Sequence, residues 1–185
     1  MGRAEPVAGG LGEIVSESHG HELGFREAMR LLAAGVVMVT TRIDGRPWGL
    51  TISACCSLSA DPPQILISLG TQTATARQLR STGRFGLSLL STSHRALAEV
   101  GAAPGVPKFV DDHVDDDGVD SGRMPRVRDA MYHLDCEVSD CNEVADHTVF
   151  VGRVVHAHSG SASLRPLDPL IYFDRAYRSV GDGLP

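Results

Sequence analysis

The chain has 185 residues, 42% of them hydrophobic, and a formal net charge of −6, which fits one ordinary globular domain. The acidic balance argues against a nucleic-acid binder, and no run approaches the roughly 18 apolar residues that a membrane span needs. Residues 1–19 carry no apolar signal core, so the expected compartment is cytoplasmic.

Residues 1–20 read as a flexible tail, 21–181 as the folded domain and 182–185 as a C-terminal tail. Phe25, Ala28, Met29 and Leu32 follow the i, i+3, i+4, i+7 spacing of a helix. Gly35 stands where a helix would end. Val36 to Arg42 is apolar and β-branched and reads as a buried strand. Asp44-Gly45 supplies a hairpin turn with positive φ, and Trp48 to Ser53 forms the return strand. Cys55 to Ser59 is a further strand, stopped by Asp61-Pro62-Pro63. Gln64 to Leu69 is another buried strand, closed by Gly70. Thr71 to Ser81 reads as a short polar helix, Arg84 to Leu90 as a strand and Ser93 to Val100 as a helix. Residues 101–123 form a long polar loop, in which Lys108-Phe109 is the distinctive pair. Strands follow at Tyr132 to Glu143, His147 to Ala157 and Leu170 to Phe173. Many short strands with two or three helices predict a mainly β, barrel-like domain, not an alternating α/β sheet. Neither a GxGxxG nor a P-loop pattern is present.

The densest chemistry lies in Trp48-Gly49-Leu50-Thr51-Ile52-Ser53-Ala54-Cys55-Cys56-Ser57-Leu58-Ser59. Thr51, Ser53, Ser57 and Ser59 occupy positions of one parity, which share a face on a regular strand. Small hydroxyl side chains make poor core and a suitable surface for a flat ligand with polar edges. Ser68-Leu69-Gly70-Thr71, followed by Thr73 and Thr75 at a helix start, offers hydroxyls and backbone N–H groups of the kind that hold phosphates. Asp146-His147 leads a later strand. The six aspartates between Asp111 and Asp120 lack the ligand spacing of a calcium loop and read as a solvated acidic loop. The four cysteines, Cys55, Cys56, Cys136 and Cys141, lack paired zinc spacing and read as free thiols. His156 and His158 share a strand face but have no third ligand by spacing, so no metal site is expected.

Several ordered motifs together resemble the short-chain NAD(P)H:flavin oxidoreductases, the reductase components of two-component flavin-dependent monooxygenases. They are Phe25-Arg26-x-Ala28-Met29 with Ala34-Gly35-Val36-Val37; Gly49-x-Thr51-x-Ser53-Ala54-x-x-Ser57-Leu58-Ser59 with Asp61-Pro62-Pro63; Asp146-His147-Thr148 with Gly152-x-Val154; and Pro169-Leu170-Ile171-Tyr172-Phe173 with Tyr177. The resemblance spans about residues 25–178. Where the family usually has glycine before the Asp-His pair, this chain has Ala145.

The resemblance implies an FMN-binding split-barrel fold, a homodimer, and hydride transfer from NADH or NADPH to FAD or FMN, with reduced flavin passed to a transient monooxygenase partner. It implies that Trp48, Gly49, Leu50, Thr51, Ser53, Ala54, Cys55 and Ser57 line the flavin ring, with Thr51 and Ser53 bonding its polar edge. Ser68, Leu69, Gly70, Thr71 and Thr75 would hold the ribityl and phosphate groups, and Lys108-Phe109 would reach the phosphate region. His147 and Tyr177 would meet the nicotinamide dinucleotide, with His147, Thr51 and Ser53 as the catalytic set. A flavin-binding or haem-binding split-barrel protein without efficient reductase activity is the alternative.

Overall fold

The computed structural model describes residues 11–160 and 168–181. The first helix, α1, runs Leu11–Arg30. It starts before Phe25 and covers residues 11–20 of the sequence-predicted tail; residues 1–10 and 182–185 of the two tails lie outside the described residues. Gly35 does not end the helix. It belongs to a two-residue strand, β1 (Ala34–Gly35), because its backbone is taken up by pairing with the chain's C-terminal part.

Strands β2 (Val37–Ile43) and β3 (Arg46–Ile52) form the expected hairpin around Asp44-Gly45, both at positive φ. Then come β4 (Cys55–Ala60), β5 (Pro63–Gly70), α2 (Ala74–Thr82), β6 (Arg84–Leu89) and α3 (Arg95–Ala102). Thr73 caps α2, its hydroxyl accepting from the Ala76 N–H, and Gly83 ends it in the left-handed conformation. Two short strands, β7 (Val114–Asp115) and β8 (Arg126–Val127), pair inside the long polar segment. Strands β9 (Tyr132–Val144) and β10 (His147–Ser159) form a long hairpin. Strands β11 (Ile171–Phe173) and β12 (Ala176–Arg178) form a small one, whose second strand the sequence did not suggest.

The main sheet is antiparallel in the order β3-β2-β6-β9-β10-β5-β4. Its two edge strands, β3 and β4, are joined by only Ser53 and Ala54. So short a link forces the edges together and curls the sheet into a barrel with a seam between them. This is the expected split barrel. Val37, Val39, Ile67, Leu69, Phe85 and Phe150 fill its interior, closed by Ala76 and Leu79 of α2. A second core lies outside the barrel wall: Val36, Met38 and Leu90 pack with Leu97 and Ala98 of α3, Val110, Val114 and Leu170. The apolar run from Val36 to Val39 is therefore buried on both faces, which is why it does not alternate.

Candidate active site

The seam positions the site. Ser53 and Ala54 leave the ladder, and the Ala54 carbonyl accepts the Ser68 N–H from β5 at 3.0 Å. A bulge in β4 between Ser57 and Ser59 shifts the register there. Thr51, Ser53, Ser57 and Ser59 therefore do not share one face, because both the bend and the bulge break the period of two.

On one side of the seam a cavity of about 520 Å³ opens between the end of β3, α3 and the β11–β12 hairpin. Thr51, Ser53 and Tyr177 line it, together with Arg95, Glu99, Tyr172 and Arg175. Burial pushes the Tyr177 hydroxyl above the ordinary tyrosine range. Arg95 and Glu99 are ion-paired at 3.0 Å along α3. Arg95 and Glu99 carry no sequence signal beyond the helix they lie on, and the second strand of the C-terminal hairpin carries none, so of this wall only Tyr177 was implied by the resemblance. Thr51 lines the cavity, but its hydroxyl is turned away from it. Its hydroxyl is buried without a hydrogen-bond partner, under Gly101 of α3, where a Cβ would stand 2.2 Å from it. Of the two hydroxyls implied for the ring edge, the exposed one belongs to Ser53.

On the other side of the seam, β5 pairs with β10, setting Gly70 opposite His147 and Ser68 opposite Val149. Ser68, Gly70 and His147 share the outer face, while Leu69 points into the barrel core. His147 is half exposed, and its Nδ1 lies 2.7 Å from Asp146. That bond holds the Asp146 carboxyl below the usual carboxylate range. The Thr71 N–H donates to the Asp146 carbonyl at 2.9 Å, and the Thr71 and Thr148 hydroxyls are 3.0 Å apart. Arg80 donates to the Thr148 hydroxyl at 2.6 Å and pairs with Glu143 at 3.0 Å. His147 does not line the cavity that holds Tyr177.

Several of the residues implied as flavin contacts are engaged in packing within the chain. The Trp48 indole N–H donates to Thr75 at 3.1 Å, and its ring meets Phe109 edge-on at 5.1 Å. Arg46 stacks over Phe109 at 4.1 Å. A Cβ at Gly49 would fall 2.6 Å from the Met38 sulfur, so this glycine serves close packing. Leu50 and Cys55 pack against the barrel core. Burial, with a smaller contribution from Cys56, pushes the Cys55 thiol up to about 11. Lys108 does not extend toward the phosphate loop. It is buried, its Nζ donates to the Ala103 carbonyl at the end of α3, and desolvation lowers its pKa. Ser53, Ala54, Ser57, Ser68, Gly70, Thr71 and His147 remain within reach of a ligand.

The acidic loop carries its six aspartates exposed, as a solvated loop requires, and four of them are ion-paired as well. Asp111 pairs with Arg46 at 3.0 Å, Asp115 with Arg128 at 3.1 Å, Asp117 with Arg126 at 2.9 Å, and Asp116 with Arg42. It is an ion-paired cover over the second core. Among the described residues no group of His, Cys, Asp or Glu side chains could hold a metal ion.

The flavin reductase like domain matches residues 29–181. The chain belongs to that family. It is similar to the reductase component of 4-nitrophenol 4-monooxygenase/4-nitrocatechol 2-monooxygenase of Rhodococcus opacus, 35% identical over 149 residues, covering 80% of this chain and 76% of the relative. It is similar to the NADH-dependent flavin reductase StyB of Pseudomonas fluorescens, 31% identical over 163 residues, covering 87% and 90%. Among solved structures, the styrene monooxygenase flavin reductase of Pseudomonas putida S12 superposes with a TM-score of 0.73 at 28% identity, covering 87% of this chain and 99% of that one. In this flavin reductase-like chain the match takes in the seam, the cavity and the His147 loop.

Proposed function

We propose that this chain is an NADH-dependent flavin reductase that delivers reduced flavin to a partner monooxygenase. The observation that carries the reading is the seam. It sets small, accessible residues beside a cavity walled by Tyr177 and along β5, whose Gly70 pairs with His147 at the start of β10. Ala54, Ser57, Ser68 and Gly70 present little side-chain bulk, which suits a flat ring lying along the surface. Ser53 bonds the polar edge of that ring, and Gly70 and Thr71 meet the ribityl-phosphate end. His147 and Tyr177 orient the nicotinamide from the two flanks. When bound, the flavin supplies the hydride acceptor and the reduced nicotinamide the donor; the protein's part is positioning and exclusion of water. These contacts are few and non-covalent, so the flavin turns over as a substrate.

The partner in assembly is a second copy of this chain. Phe25 and Met29, one turn apart on α1, are 64% and 45% exposed, and Leu32, just beyond the helix end, is 64% exposed. An apolar helical stripe of that kind is stable when covered. Light scattering at micromolar protein is expected to give twice the chain mass, and a monomer mass would refute it. None of the described helices is long and apolar enough to cross a membrane. Four free thiols support a cytoplasmic location.

Steady-state NADH oxidation tests the activity, with FMN and FAD in turn as acceptors and NADPH as the alternative donor. Turnover that depends on added flavin is expected; purified protein that binds flavin but leaves NADH unoxidised overturns the reading.

A further inference from the structure

We propose that Arg175, at the tip of the β11–β12 hairpin, holds the pyrophosphate of the reduced nicotinamide dinucleotide, an assignment that rests on the reductase reading above. The first observation is conformational. Asp174 and Arg175 form a two-residue turn between paired Phe173 and Ala176, with φ of +48° and +59°. Such a turn favours glycine at its second position, and an arginine there is held in a conformation that L side chains rarely adopt. The turn itself gains nothing from the guanidinium. Strained positions of this kind gather where a ligand needs the side chain.

The second observation is electrostatic. Arg175 lines the cavity, yet its ion pair is a 3.4 Å approach to Glu27, and Glu27 is already bound by Arg30 at 2.5 Å. The distance exceeds the usual 2.7–2.9 Å of a charge-assisted bond. Its side chain is 69% exposed, and pairs so exposed hold little. The other cavity guanidinium, Arg95, is matched by Glu99 at 3.0 Å. Arg175 is therefore the cavity cation with the weaker internal partner.

The third observation is the company it keeps. Tyr172 and Tyr177 meet edge-on at 5.4 Å in the same cavity. Two phenol rings beside a weakly paired guanidinium suit a ligand that combines aromatic rings with phosphate. The volume of about 520 Å³ lies within the ~300–1,000 Å³ of small-molecule sites. The flavin phosphate is assigned to the Gly70–Thr71 side of the seam. The anion at the Arg175 side therefore belongs to the second reactant, whose pyrophosphate a guanidinium fork can bind with two parallel bonds.

The test compares two hydride donors at saturating flavin: NADH, and N-benzyl-1,4-dihydronicotinamide, which carries no phosphate. For Arg175→Gly the ratio of kcat/KM for NADH to kcat/KM for the truncated donor is expected to fall roughly tenfold to a hundredfold, the loss of a charged hydrogen bond. The melting temperature should hold or rise, since glycine suits the turn. Arg175→Lys, which keeps the charge without the fork, should recover part of the ratio. A ratio that stays at the wild-type value in Arg175→Gly, or a loss shared equally by both donors, overturns the assignment and leaves the reductase reading standing. A wild-type chain that reduces flavin with neither donor overturns both.

Discussion

Replacing Thr51 by valine separates two accounts of the residue at the heart of its most distinctive motif. The resemblance implies that the Thr51 hydroxyl donates to the flavin edge, and Thr51→Val should then weaken flavin use. In the structure the hydroxyl is sealed beneath α3 with no partner, facing the Cα of Gly101. A buried hydroxyl without a hydrogen bond destabilises a fold by about 1–3 kcal/mol. Valine keeps the branched shape and removes the unpaired polar atom. Its methyl is slightly bulkier than a hydroxyl and Gly101 lies close, so crowding offsets part of the gain. The expected net effect is a stabilisation of about 1 kcal/mol. For a domain of this size that raises the melting temperature by roughly 2–4 °C. The flavin KM and kcat should stay at wild-type values. Thermal unfolding and steady-state flavin reduction on the same preparation decide the matter. A flavin KM raised about tenfold with an unchanged melting temperature would mean that the hydroxyl meets the ligand, and the orientation argued here would be wrong.

Ala145, in the β9–β10 turn, holds φ at +53°; Ala145→Gly should therefore stabilise the protein by ~1 kcal/mol in urea unfolding. His147→Ala should raise the KM for NADH by roughly two- to tenfold, the worth of one ordinary hydrogen bond, while a flavin titration stays near wild type. Asp135 gives a pH dependence. Burial works against its charge, but bonds from His133, the Met124 N–H and His158 hold its carboxyl down to about 2. A depressed carboxylate stabilises the fold above its unfolded value of about 3.9, and that contribution is lost as pH falls toward 2. Stability should thus drop by on the order of 2 kcal/mol through this window, and Asp135→Asn should flatten the drop.

The barrel was legible in the sequence because its signals are local. Asp44-Gly45, the Asp61-Pro62-Pro63 stop and the apolar runs Val36–Val39 and Ile65–Leu69 each specify a turn or a strand without help from distant residues. The interior followed, since Val37, Val39, Ile67 and Leu69 occupy inward positions. The faces of the site were less legible. The alternation of Thr51, Ser53, Ser57 and Ser59 holds only on an uninterrupted strand, and nothing in those residue types announces the seam at Ser53–Ala54 or the bulge after Ser57. Lys108 and Trp48 look like ligand contacts in one dimension. They are turned inward by the end of α3 and by Thr75, partners 5 and 27 residues away.

Of the cavity wall, Tyr177 is marked in the sequence by its motif and the charged residues are not. Arg95 and Glu99 form an ordinary helical pair, and Arg175 sits in a turn that glycine would fit better; neither is conspicuous by composition. They become a wall because β11 pairs with β1, which ties the C-terminal hairpin to the start of the barrel. Arg30 strengthens the tie by pairing with Asp174, while Glu27 approaches Arg175. The hairpin that carries Arg175 and Tyr177 is thus anchored to the C-terminal end of α1. Those ion pairs are partly exposed and contribute little on their own, so the wall rests chiefly on the backbone pairing of β1 with β11.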